Sequence, residues 1–337
     1  MLVLAFFYSF ILIASCALTW AFRRYALINS LLDIPNHRSS HVEPTPRGGG
    51  LAFVFCFILV VLSLAYLKII HSTMFITLVG FGTFIAILGF LDDHRSISAK
   101  WRLPGHFIAC GFALYFLGGM PDITIFSWTL SAGLLTNVFA VFYLAWLLNL
   151  FNFMDGIDGI AAVEAVTVCL SGVLIYFLHH HDIEMLLPFS LAVSVSGFLF
   201  WNFPPARIFM GDAGSSFLGF VLGLFSIQAA QITPSFFWSW LILLGVFIVD
   251  ASVTLLRRAV NGERVIDAHR NHAYQHACRY YGKHRAVTLR VLIINLSWLL
   301  PLAIAVSNDV IDGFIGLLIA YIPLVFLAFK FNAGKHV

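Results

Sequence analysis

Charge is what this sequence has least of. Charged residues fill 10% of its 337 positions, against roughly 25% in an ordinary soluble domain. Too few polar groups exist to cover a water-facing surface, which excludes a free-standing soluble enzyme and makes lipid much of the solvent. Cysteine is also sparse. Cys16, Cys56, Cys110, Cys169 and Cys278 show no paired spacing, which argues against a disulfide framework or a cysteine metal centre. Low-complexity tracts and repeats of fixed period are missing. The longest polar connection, 256–286, is too short for an independent soluble domain. The chain 1–337 therefore reads as one integral membrane domain.

What the sequence does contain is apolar run after apolar run: 61% hydrophobic residues, with 35 Phe. A bilayer crossing needs about 20 apolar residues. Candidate spans fall at 3–22, 48–66, 74–91, 104–119, 131–150, 159–178, 185–201, 213–231, 236–255, 287–306 and 311–329. The fold class is thus an all-α polytopic membrane protein of about eleven helices. The fourth span is the least regular, with Pro104, Gly105 and His106. No small-residue cleavage site follows the first, and Arg23 and Arg24 close it, so it reads as a retained helix. Alternating the connections across the membrane puts eighteen of the nineteen Lys and Arg on one side, with only Lys68 opposite. By the positive-inside rule that side is cytoplasmic.

The connections on the other side are short. The cytoplasmic ones carry the polar chemistry. The first contains PTPRGGG at 44–50, where Arg47 and Gly49 at a helix start suit a phosphate or a nucleotide ring. The alternative is a close helix contact through small residues. The second begins with Asp92 and Asp93 at a helix C-terminus, where the dipole disfavours anions. A divalent metal, or Arg95, Lys100 and Arg102, should compensate them. The third, NLFNFMDGIDGIA at 149–161, spaces Asn149, Asn152, Asp155 and Asp158 by three. A step of three turns about 300°, so four members spread over about 180° and cannot all face one ion from a regular helix. Gly156 and Gly159 imply a bend or break, with Asp155 and Asp158 at the membrane mouth. Glu164, about two turns deeper, reads as a supporting or structural acid. In the fourth connection Asp212 precedes Gly214, Ser215 and Ser216. It is either an N-cap or one side of a cation held against a phosphate. The fifth carries His269, Arg270, His272, His276 and His284, a cationic rim suited to phosphates. Three acidic segments and two cationic ones on one face imply polyanionic substrates and a metal, and a site at the interface implies a lipid substrate.

TPRGGG at 45–50, LDD at 91–93, NLFNFMDGIDGIA at 149–161 and FMGDAGS at 209–215 resemble, in order, the motifs of the polyprenyl-phosphate N-acetylhexosamine-1-phosphate transferases, the MraY/WecA superfamily. PNHRSSH at 35–41 is most similar to the branch that starts bacterial O-antigen lipopolysaccharide, the WbpL/WbcO type. Tyr274 and Gln275 stand where other branches carry histidines. The resemblance implies transfer of N-acetylhexosamine-1-phosphate from a UDP-sugar to undecaprenyl phosphate, with release of UMP. It implies Mg2+, with Mn2+ as a substitute, held by Asp212 with Asp92 or Asp93. Asp155 and Asp158 would serve the nucleotide and metal neighbourhood, oriented by Asn152. Arg47, Gly49, Gly214, Ser215, His269, Arg270 and His272 would contact nucleotide or phosphate. It further implies the bacterial inner membrane with the site facing the cytoplasm, allows a homodimer, and involves no nucleic acid. The rival reading is an ion-coupled transporter, which would place acids near the midplane in two related halves. A CDP-alcohol phosphotransferase would need a DGxxAR-type signature, which is missing.

Overall fold

The computed structural model describes residues 2–35, 43–95, 97–126, 128–263 and 270–335. The apolar runs form helices, because in lipid every backbone polar group must be satisfied within the segment. In chain order they are α1 (Leu2–Ile28), α2 (Gly50–Tyr66), α3 (Ser72–Phe75), α4 (Gly82–Arg95) and α5 (Ala99–Phe116). Next come α6 (Leu134–Met154), α7 (Ile160–Leu178), α8 (Leu186–Asn202) and α9 (Asp212–Ile232). The last six are α10 (Pro234–Leu243), α11 (Gly245–Val260), α12 (Ala273–Tyr281), α13 (His284–Ile294), α14 (Leu300–Ser307) and α15 (Gly313–Lys330). π-Helical turns at Ile76–Phe81 and Asn295–Leu299 join α3 to α4 and α13 to α14 into continuous rods. Two small antiparallel hairpins, β1 (Leu32–Asp33) with β2 (Thr45–Pro46) and β3 (Ile123–Ile125) with β4 (Trp128–Leu130), lie in connections.

A helix stands at each of the eleven expected places. Among the described residues seven are long and apolar enough to cross a membrane, or eight with α10 and α11 taken as one span bent by 69°. α2 and α8 are apolar but shorter, at 17 residues each, and α5 is interrupted by Lys100, Arg102 and Pro104. The outer surface confirms the solvent: Phe6, Tyr115 and Phe326 are 74%, 77% and 71% exposed, which a water-soluble fold would not leave on so many helices.

α9 is the axis of the bundle, buried almost throughout from Ala213 to Ala230. Small residues let its neighbours approach to backbone contact. A Cβ on Gly89 of α4 would lie 2.6 Å from the Ala213 nitrogen and from the Asp212 carbonyl, and one on Gly50 of α2 would lie 2.6 Å from the Gly214 Cα. Side-chain-free contact at these two positions draws the start of α2 and the end of α4 onto the start of α9. α6 packs along the same helix and ends at Met154, beside the Asp155–Gly159 turn. The fold therefore delivers three polar segments to one end of one helix, whose own first turn is the fourth.

Candidate active site

At that end, Asp93 receives the N-terminus of α9. Its Oδ1 accepts the Asp212 amide at 3.0 Å and its Oδ2 the Ala213 amide at 3.4 Å, satisfying donors that a helix start leaves unpaired. Arg47 also donates to Asp93 Oδ1 and lies 3.6 Å from Asp212 Oδ1. On the other side Arg102 donates to Asp92 Oδ2 and reaches Asp212 Oδ2 at 3.4 Å. Two guanidiniums thus alternate with three carboxylates, with Asp212 in the middle. Burial works against the Arg47 charge, but Asp93 and Asp212 outweigh it and hold the guanidinium above its ordinary value. The expected compensation of Asp92 and Asp93 is supplied within the chain, by Arg102 and Arg47.

Asn152 and Asp155 reach this cluster from the end of α6. Asn152 Nδ2 donates to Ser215 Oγ at 3.2 Å, and Ser215 Oγ donates in turn to the Gly211 carbonyl at 3.2 Å. Asp155 is the first residue past the helix. Loss of water around its carboxyl, then the charges of Asp212 and Asp93, raise it well above the ordinary carboxylate range. The residue as a whole is half-buried. The backbone breaks here as the glycines imply: Gly159 takes φ +72° before α7 begins.

Asp158 is engaged elsewhere. Its Oδ1 lies 2.9 Å from His284 Nδ1, its Oδ2 accepts the Ala206 amide at 3.0 Å, and its carbonyl accepts Thr288 Oγ1 at 2.8 Å. Of the acid pair in the DGIDG turn, Asp155 faces the cluster while Asp158 ties the turn to α13 and to the connection before α9. The Gly49 and Gly50 amides donate to the Phe209 and Met210 carbonyls at 2.9 Å each. A small-residue contact joins Gly50 to Gly214, whereas Gly49 packs against the Phe198 and Ile208 side chains.

The last connection joins through Asp250, a residue inside the ninth expected span that sequence reasoning passed over. Asp250 accepts the Ala273 and Tyr274 amides at 2.8 Å each and lies 3.4 Å from His272 Nδ1. It thus caps α12 from α11. Tyr274 donates its hydroxyl to the Phe153 carbonyl at 3.0 Å, which docks α12 on the last turn of α6, next to DGIDG. His272 is buried beside the Phe153 ring at 6.4 Å. Gln275 completes the cap by accepting the His272 amide at 3.2 Å. Arg270 is exposed, its carbonyl accepting from Arg279, and His269 lies outside the described residues. An ionisable residue within an apolar span signals function by default, and Asp250 carried that signal.

Hard carboxylate oxygens are the donors magnesium prefers, and three carboxylates against two guanidiniums leave negative charge in excess. Asp212 has the longest protein contacts of the three, at 3.4 and 3.6 Å, and is the acid most available to a cation. The donor set therefore fits a divalent ion, although among the described residues no three acidic, histidine or cysteine side chains already converge as a ligand group.

Fold and cluster together define a multi-pass membrane protein with a carboxylate–guanidinium site at the end of its helices. The family model of glycosyl transferase family 4 matches residues 74–230. A relative from Bacillus subtilis, named as a probable undecaprenyl-phosphate N-acetylglucosaminyl 1-phosphate transferase, is 29% identical over 317 residues, covering 90% of this chain and 85% of its own. A phospho-N-acetylmuramoyl-pentapeptide-transferase from Streptococcus pyogenes serotype M6 is 30% identical over 242 residues, covering 67% and 69%. One of the same name from Lactococcus lactis is 28% identical over 245 residues, covering 68% and 71%. The chain belongs to glycosyl transferase family 4, in the superfamily of polyprenyl-phosphate N-acetylhexosamine-1-phosphate transferases.

Proposed function

We propose that this protein transfers N-acetylhexosamine-1-phosphate from a UDP-sugar to undecaprenyl phosphate at the cytoplasmic face of the bacterial inner membrane, starting an O-antigen glycan. The observation that carries this reading is the Arg47–Asp93–Asp212–Arg102–Asp92 cluster at the end of α9. It offers cations for phosphates and a carboxylate excess for a metal, as a reaction between two phosphorylated substrates requires. The names of the relatives supply the substrate class.

In this reading an oxygen of the lipid phosphate attacks the sugar-linked phosphorus of the UDP-sugar. The bond to UMP breaks, and UMP leaves with its electron pair. A phosphate monoester has its second pKa near about 6, so the attacking group is mostly a dianion at neutral pH and needs little base assistance. The competing route is a covalent aspartyl-phosphate through Asp92 or Asp93; engagement of both Asp93 oxygens weighs against Asp93 as that nucleophile, which leaves Asp92 for the covalent route. Magnesium, held by Asp212 with Asp92, would supply charge neutralisation on the diphosphate, while Asp93, both of whose oxygens accept hydrogen bonds, holds the start of α9. Arg47 and Arg102 keep the acids in place, and Asp155 faces the nucleotide side with Asn152 behind it. The test is incubation of the purified protein with undecaprenyl phosphate and a panel of labelled UDP-N-acetylhexosamines, N-acetylfucosamine, N-acetylglucosamine and N-acetylgalactosamine among them. A labelled lipid and stoichiometric UMP are expected with at least one donor. Absence of lipid product with every donor would favour the ion-coupled transporter.

A further inference from the structure

α7 and α13 meet along a polar seam that begins at the candidate site and runs into the bundle. His284 and Thr288 hold Asp158 at the start of α7. Deeper, Asn295 Nδ2 donates to Glu164 Oε2 at 2.7 Å and to Thr167 Oγ1 at 2.8 Å. Asn295 is the first residue of the π-helical turn Asn295–Leu299, a distortion that often marks functional positions. Both partners are shut off from solvent, Glu164 at 0% and Asn295 at 2% exposure. Yet Glu164 Oε1 and Asn295 Oδ1 have no hydrogen-bond partner among the described residues.

Two adjacent groups with one acceptor each left over are short of one hydrogen. An unmatched buried acceptor costs about 1–3 kcal/mol, and an ionised carboxylate among apolar helices costs more. A hydrogen on Glu164 Oε1, donated to Asn295 Oδ1, satisfies both oxygens and removes the charge. Acid and amide then pair through both edges. Few other groups face the carboxyl: Tyr321 from α15 is a titratable neighbour, the Phe247 backbone N–H approaches from α11 and alone among them favours the ionised form, and no salt bridge to Glu164 occurs among the described residues.

We infer that Glu164 is kept as the neutral carboxylic acid, paired edge to edge with Asn295, and that the pair is a positioning element. It fixes the π turn of α13 against α7 and thereby sets where His284 meets Asp158. Its effect on catalysis rests on the transferase reading above; its protonation does not.

The experiment compares wild type with Glu164→Gln, Glu164→Ala and Asn295→Leu in detergent or nanodiscs. Infrared spectra are expected to show a carboxylic-acid carbonyl band that shifts in D2O and is missing from Glu164→Gln. Glu164→Gln, whose amide also donates to Asn295 Oδ1, should keep the wild-type melting temperature. Glu164→Ala and Asn295→Leu should melt earlier and lose roughly tenfold or more in kcat at little-changed KM, the direction expected when reacting groups are displaced by part of an ångström. Glu164→Gln should restore that kcat. Absence of the acid band, or a Glu164→Gln as damaged as Glu164→Ala, would show that a charged carboxylate is needed and overturn the proposal. Unchanged kcat and melting in Glu164→Ala would overturn the positioning role. If wild type itself transferred nothing, the infrared and melting results would still decide the protonation.

Discussion

Gly89→Ala tests whether backbone contact around α9 assembles the site. The added Cβ would stand 2.6 Å from the Ala213 nitrogen and the Asp212 carbonyl. Ordinary carbon contacts begin at about 3.5 Å. Since the opposing atoms are backbone, α4 and the start of α9 must part by roughly 0.8–1 Å, a distance worked from those two values. That motion stretches the Asp93 contacts to the Asp212 and Ala213 amides, now 3.0 and 3.4 Å, beyond hydrogen-bonding range. Overpacking of this kind costs about 1–3 kcal/mol, and a misplacement near 1 Å lowers turnover by about 10²-fold. Gly111→Ala in α5 is the matched control, because nothing lies within 4 Å of its added Cβ. A helical Gly→Ala change with open space for the new methyl is neutral or stabilising by roughly 0.4–1 kcal/mol. Initial rates of lipid-linked sugar formation and thermal melting in detergent give the comparison. Wild-type rate and melting in Gly89→Ala would refute the idea that close packing on α9 sets the cluster geometry.

Asp212→Asn is expected to reduce turnover by about 10²–10³-fold, and saturating magnesium should not restore it; wild-type turnover there would remove Asp212 from the metal assignment. Stripping divalent ions with EDTA should abolish transfer, with magnesium and then manganese restoring it; full activity in EDTA would remove the metal requirement. Asp250→Ala deprives the Ala273 and Tyr274 amides of their acceptor. Hydrogen exchange at the start of α12 should quicken by roughly 10- to 100-fold, the loss of charged hydrogen bonds worth about 1.5–3 kcal/mol each, with unchanged exchange counting against the cap. A double-mutant cycle of Asp158→Asn and His284→Ala, read by thermal melting, should give a coupling of about 0.5–3 kcal/mol. Strict additivity would show that the 2.9 Å contact does not join the two segments.

Much of this was legible in the sequence because membrane constraints are strong and local. Length of apolar run places the helices, and the glycines of DGIDG mark a break that the structure puts between Met154 and Ile160. Asp92, Asp93 and Asp212 were recognisable as partners in one charge problem. Of the cations that answer it, Arg102 was among those expected, but Arg47 was not, because it meets Asp93 and Asp212 only through the packing of α2 and α4 around α9. For the same reason Asp155 and Asp158 look equivalent in the motif. Their roles separate once His284, 126 residues away in the chain, takes one of them. Asp250 was marked as an acid inside an apolar span, but its role was not legible, because its partners are backbone amides of α12 and a backbone amide leaves no trace in residue identity.

The placement of the cluster on the N-terminus of a buried axial helix has a thermodynamic consequence. Any ligand that bridges Arg47, Asp92, Asp155 and Asp212 grips the ends of α2, α4, α6 and α9 at once. Its binding free energy then opposes separation of four helices rather than the fraying of one loop. A donor nucleotide should raise the unfolding temperature of the whole bundle, and lipid-facing substitutions far from the site should change the apparent affinity for that nucleotide.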